Sequence, residues 1–105
     1  MYEEFTQNRI AQLRAQKNVS DRDMSLSLGQ NGSYINQIEN RKALPSLPGF
    51  FYICEYLHIT PQEFFDESND APVQMKDLIA DLKKLDSAML AKIADLVKEI
   101  VERQS

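Results

Sequence analysis

The sequence predicts an all-α protein: five short helices forming one domain, then two amphipathic helices at the carboxyl end. Three observations carry this. No segment alternates polar and apolar residues at strand spacing, and every periodic segment repeats at helical spacing. Capping residues (Ser20, Asn31, Ser46, Thr60 and Asp86) stand just before these segments. A single glycine, Gly29, separates two of the shortest apolar stretches, so the chain turns sharply between them.

The elements follow in order. Residues 2–17 place Phe5, Ile10 and Leu13 on one side, with Tyr2 near it. Ser20 caps a helix over 21–28, with Asp23 at its third position and Val19 set to staple onto Met24. Asn31 is expected to cap 32–40, and Ser46 to cap 47–57. At 61–66, Thr60, Pro61 and Glu63 form a capping box with proline at the first helical position, and Ile59 staples onto Phe64. Pro72 opens a helix over 72–84 with a stripe of Val73, Leu78, Ile79, Leu82 and Leu85. Asp86 caps 87–103, whose wider stripe is Met89, Leu90, Ile93, Leu96, Val97, Ile100 and Val101. The polar run "ESNDA" at 67–71 reads as a linker, giving domains at 1–67 and 68–105.

Two short helices joined by a three- or four-residue turn containing glycine make a helix-turn-helix, whose second helix can enter a DNA major groove. That second helix lies in "LGQNGSYINQIENRKALPS", residues 28–46, which is crowded with side-chain amides. Tyr34, Ile35 and Ile38 point inward; Ser33, Gln37 and Asn40, four and three apart, share the opposite stripe, with Asn36 beside it. Uncharged donors and acceptors suit base edges, since Gln and Asn bond adenine N6 and N7 as a pair. Arg41 and Lys42, past the helix end, offer charge to flanking phosphates. The plainer alternative is a merely hydrophilic helix face.

Residues 9–65 resemble an Xre-type, Cro/phage-repressor-like helix-turn-helix domain, on "LG" at 28–29, "SYINQIEN" at 33–40, "LPS" at 44–46 and "ITPQEFF" at 59–65. The resemblance implies a five-helix lambda-repressor-like domain, usually a homodimer on pseudo-palindromic double-stranded DNA, that regulates transcription. It places Asn31, Gly32, Ser33, Asn36 and Gln37 where the family meets bases or adjoining phosphates, and Asn40, Arg41 and Lys42 at its backbone-contacting turn. It also implies a structural ion pair between Arg14 and Glu39. Four positions depart from the pattern. Asp21 replaces a phosphate-holding glutamine, so that contact is lost or passes to a neighbour such as Arg22. Gln30 adds a polar contact after the turn glycine. Gly32 lacks a long side chain, and His58 stands where helix four usually ends in glycine. Tyr52 and Tyr56, where the family often has smaller or polar residues, call for a cover from the carboxyl-terminal helices or from a second subunit.

Composition narrows the function classes. The net charge is −4, and residues 1–66 and 67–105 each hold six Lys/Arg against eight Asp/Glu. That excludes a nonspecific basic nucleic-acid coat but leaves room for a local reader. No apolar run is long enough to span a bilayer, "MYEEF" is no signal peptide, and one cysteine cannot form an intramolecular disulfide, so a cytoplasmic protein is expected. Cys54 fits a small buried hydrophobe, and the single histidine, His58, builds neither a metal cluster nor a catalytic triad. Neither an enzyme nor a cofactor is expected. The two tail helices must close on the first domain or pair with another chain; dimerisation through Leu90, Ile93, Val97 and Ile100 is the expectation. Together these readings predict a dimeric repressor, with two rivals: an antitoxin whose tail binds a toxin, and an adaptor that has lost DNA binding.

Overall fold

The computed structural model describes residues 1–104. Among them it is all-helical, with seven helices: α1 (Tyr2–Lys17), α2 (Asp21–Ser27), α3 (Tyr34–Glu39), α4 (Leu47–Leu57), α5 (Pro61–Phe64), α6 (Pro72–Leu82) and α7 (Ser87–Gln104). Among the described residues no helix is long and apolar enough to cross a membrane.

Helix starts form where cap chemistry places them. Ser20 Oγ accepts from Asp23 N at 3.0 Å, Ser46 Oγ from Gly49 N at 3.1 Å, and Asp86 Oδ1 from Met89 N at 2.8 Å. Thr60 and Glu63 close a full capping box. The start of α3 departs from expectation. Asn31 Oδ1 accepts from Ser33 N (3.0 Å) and from Ser33 Oγ (2.7 Å), so it closes a turn before the helix instead of capping it. α3 therefore begins at Tyr34, two residues later than 32.

Three helices end in the same way. Gly29 (φ 76°), Arg41 (φ 68°) and His58 (φ 58°) are left-handed. At each, the left-handed residue and its successor donate back into the last turn: Gly29 N to Leu26 O and Gln30 N to Ser25 O, Arg41 N to Ile38 O and Lys42 N to Gln37 O, His58 N to Glu55 O and Ile59 N to Cys54 O. His58 adopts the conformation its position required. Arg41 does so without a glycine's freedom.

One core joins Ile10 and Leu13 of α1, Met24, Ile35, Ile38, Phe50, Ile53, Cys54, Leu57, Ile59 and Phe64, and it extends to Val73. Tyr2, expected near the apolar side of α1, is 76% exposed. The core also crosses the expected boundary at 67/68, because Pro72 and Val73 are buried and α6 packs on α1. Arg9 draws the connecting segment in. It is 4% exposed, and its guanidinium donates to the carbonyls of Phe64 (2.7 Å), Glu63 (3.1 Å), Asp66 (3.2 Å) and Asn69 (2.8 Å) and to Gln12 Oε1. Gln16 Nε2 donates to Asp70 O, and Lys76 pairs with Glu63 at 2.7 Å. "ESNDA" is thus a strapped connection, and the remaining stripe of α6 stays uncovered, with Leu78 and Ile79 exposed.

Nothing extensive packs along α7. The Cα radius of gyration is 16.5 Å, against about 13 Å for a compact chain of this length, and the longest dimension is 48 Å.

Candidate nucleic-acid interface

The geometry of α2 and α3 rests on a buried serine. Ser25, fully buried in α2, donates its hydroxyl to Asp21 O (2.7 Å) and accepts from Ile35 N (2.9 Å). It satisfies one of the orphan N–H groups at the start of α3 from a neighbouring helix, which ties the two helices at a fixed angle. From the inner side, Ile35 and Ile38 are fully buried. Tyr34 is half-buried with its hydroxyl near Gly49, where an added Cβ would lie 2.9 Å away. Burial raises the Tyr34 phenol above its usual pKa.

The expected ion pair forms. Arg14 Nε meets Glu39 Oε2 at 2.6 Å and Nη2 meets Oε1 at 2.9 Å, while Nη1 holds Val19 O at 2.9 Å. Hydrogen bonding to Glu39 raises the guanidinium's pKa against the opposing cost of burial. The pair locks α1 to the end of α3.

Ser33, Asn36, Gln37 and Asn40 are all exposed. Gln37 Nε2 donates to Ser33 Oγ at 3.4 Å, and Ser33 in turn donates to Asn31, so Asn31, Ser33 and Gln37 form one surface chain. The second Nε2 hydrogen and the Oε1 of Gln37 remain available to a ligand. Asn40 donates to Asn36 O at 2.9 Å, turning its amide back on the helix. Asn36 Nδ2 donates to Asp21 Oδ2 at 3.0 Å. That bond, with the N–H of Arg22, holds the Asp21 carboxyl below its ordinary range and therefore charged.

The cations divide. Lys42 is exposed and its ammonium has no partner among the described residues. Arg41 bends away, its guanidinium donating to Asn8 Oδ1 (2.8 Å) and Gln7 Oε1 (3.4 Å), while Gln7 Nε2 donates to Ala43 O (3.0 Å). Arg41 thus braces the turn after α3, on the α1 side. The vacancy left by Gly32 is filled: a Cβ there would come within 2.5 Å of Arg22 Nη1. The Arg22 guanidinium, exposed and without a side-chain partner among the described residues, lies over the turn that leads into α3. Gln30 is exposed in the turn after Gly29.

The other expected contacts are mixed. Tyr52 is 60% exposed and not covered by α6 or α7, whereas Tyr56 is half-buried with Lys17 Nζ 5.0 Å from its ring centroid. Leu90, Ile93, Val97 and Ile100 are exposed on α7. Cys54 is buried, and desolvation pushes its thiol up to about 11. Sequence reasoning passed over Ser25, Arg9 and Gln7, each a polar residue on an inner helix face; polarity at a position the helical period assigns to the core was the available signal. No protein-family model, curated protein or solved structure matches the chain.

Proposed function

We propose that the chain is a sequence-specific, double-stranded-DNA-binding transcription regulator of the Xre, lambda-repressor-like helix-turn-helix type, acting as a homodimeric repressor. The observation that carries the reading is the amide stripe. α3 turns Ser33 and Gln37 outward, uncharged and partly unsatisfied, at the end of a helix held rigid by Ser25 and by the Arg14–Glu39 pair. Such a surface has little to offer a membrane or an acidic protein, but it matches the donor and acceptor pattern of a major-groove edge. Arg22 and Lys42, which have no partner among the described residues, flank it with charge for phosphates, while Asp21, kept charged by its bond to Asn36, repels them.

Gln37 and Lys42 should fail differently. Gln37→Ala is expected to cost about 1–3 kcal/mol on the cognate operator and to relax preference at one base pair per half-site, leaving the salt slope nearly unchanged. Lys42→Ala should weaken cognate and scrambled duplexes alike and reduce the salt slope by about one per contacting subunit. Binding titrations on both duplexes at several salt concentrations, starting with DNA upstream of the gene itself, test this. Equal weakening of both duplexes by Gln37→Ala would refute α3 as the reader. An antitoxin is the second reading, favoured by the uncovered apolar face of α7, which would then engage a toxin.

A further inference from the structure

α7 carries an apolar face that its own chain does not cover. Every described residue of the helix is exposed, and Met89, Leu90, Ile93, Leu96, Val97 and Ile100 lie between 37% and 52%. These residues fit two overlapping heptad frames. Met89, Ile93, Leu96 and Ile100 step by four, three and four, and Leu90, Ile93, Val97 and Ile100 by three, four and three. A two-stranded seam needs only one frame; two together make the wide face of a helix in a bundle. The flanks differ. Beyond Met89 and Leu96 stand Lys92 and Glu99, of opposite sign and seven apart, whereas the flank of Leu90, Ala94 and Val97 carries no charge.

We propose that α7 pairs antiparallel with α7 of a second copy, about a two-fold axis passing between Ala94 and Asp95. Ile93 then lies opposite Leu96 of the partner subunit, and Met89 opposite Ile100 of the partner subunit. In that register Lys92 faces Glu99 of the partner subunit, and symmetry repeats the pair. On the other flank Leu90 meets Val97 of the partner subunit. A parallel pair would set Lys92 beside Val97 of the partner subunit, with no charge to meet, so the flanking charges select the antiparallel arrangement.

Area then brings in α6. At their observed exposures the six α7 side chains offer roughly 500 Å² of apolar surface, short of the roughly 800 Å² per partner of a stable interface. Met75, Leu78 and Ile79, at 43–53% exposure, supply about 250 Å² more. Their place is against the uncharged Leu90–Val97 flank, completing a four-helix bundle.

This dimer is the one the proposed operator-binding reading calls for, but its test uses no DNA, so either can fail without the other. The full chain is followed by sedimentation velocity up to about 100 µM at low ionic strength, where charge contacts are least screened. Wild type should be dimeric. Lys92→Glu sets two acids against each other twice per dimer, and Glu99→Lys two bases; each should raise the dissociation constant about five- to tenfold. The double variant Lys92→Glu/Glu99→Lys should return to within about threefold of wild type. Glu99 also pairs with Arg103 at 2.6 Å within its own helix, so circular dichroism is recorded alongside to keep helix loss separate. A monomeric wild type, single variants that dimerise as wild type does, or a double variant as weak as the singles would each overturn the arrangement.

Discussion

Truncating Arg9 tests how the carboxyl-terminal segment is held. The guanidinium is 4% exposed and serves four backbone carbonyls between residues 63 and 69, besides Gln12. Its burial lowers its pKa, but not enough to discharge it, so each bond is charge-assisted. A charged hydrogen bond contributes about 1.5–3 kcal/mol, and four would sum to an implausible share of a small domain's stability. Water corrects the sum. In Arg9→Ala the carbonyls of Asp66 and Asn69, near the surface, are rehydrated, whereas the Phe64 carbonyl stays beside a fully buried ring. The expected loss is therefore about 3 kcal/mol: one bond in full and a fraction of the others. For a chain of this size that lowers the melting temperature by roughly 15 °C. Arg9→Lys should recover less than half, because one ammonium cannot span carbonyls from Glu63 to Asn69. Urea denaturation followed by circular dichroism measures both, and hydrogen exchange should show the amides of α6 losing protection before those of α3. A loss below about 1 kcal/mol for Arg9→Ala would refute the argument, since the segment would then be held by Pro72, Val73, Gln16 and Lys76 without it.

Other perturbations give further outcomes. Glu39→Ala strips Arg14 of both carboxylate bonds where the side chains are 23% and 14% exposed; it is expected to cost about 2–3 kcal/mol, and an unchanged urea midpoint would show the pair to be energetically idle. Glu63 is held below its ordinary 4.5, first by Lys76 and then by Thr60 N, so its stabilisation is complete above that value and fades as pH falls through the lower folded value. Glu63→Gln should accordingly flatten the acid limb of the stability–pH curve between about pH 5 and 3, and a limb as steep as wild type would assign it to other carboxylates. Gly32→Ala, with its methyl group against the mobile end of Arg22, should leave stability within about 0.5 kcal/mol yet weaken operator binding as Arg22→Ala does. Undiminished binding in both variants would mean that this guanidinium does not touch DNA.

Local chemistry made much of this fold legible, and long-range polar chemistry hid the rest. Ser20, Ser46, Thr60 and Asp86 act within three residues of themselves, so their helix starts could be placed from sequence. Asn31 failed as a cap because its oxygen had a nearer use in the turn to Ser33, a choice between two local bonds that spacing cannot decide. Arg9 went unremarked in the sequence, and only the return of residues 63–69 across the same face of α1 makes it central. At the candidate site the outward stripe followed from helical period alone. The diversion of Arg41 to Asn8 did not, since it depends on how α1 lies beside the turn after α3. Likewise the separation at 67/68 rested on composition, and polar composition does not reveal that two glutamine and arginine side chains of α1 wait to bind its carbonyls.

Cys54 equips the protein with an internal clock. It is the chain's one thiol, 2% exposed in α4, and with its pKa raised to about 11 only about one molecule in ten thousand carries a thiolate at pH 7. An alkylating reagent therefore finds nothing to attack until the helix opens, and the labelling rate counts openings rather than collisions. Since opening α4 exposes Phe50, Ile53 and Leu57 together, the rate tracks disruption of the whole core and not a fraying end. Mass spectrometry of labelled full-length protein can then report stability in dilute or crowded samples, with no introduced probe. The same shielding keeps oxidants from the sulfur while the domain is folded, so oxidation of Cys54 marks molecules that have already unfolded.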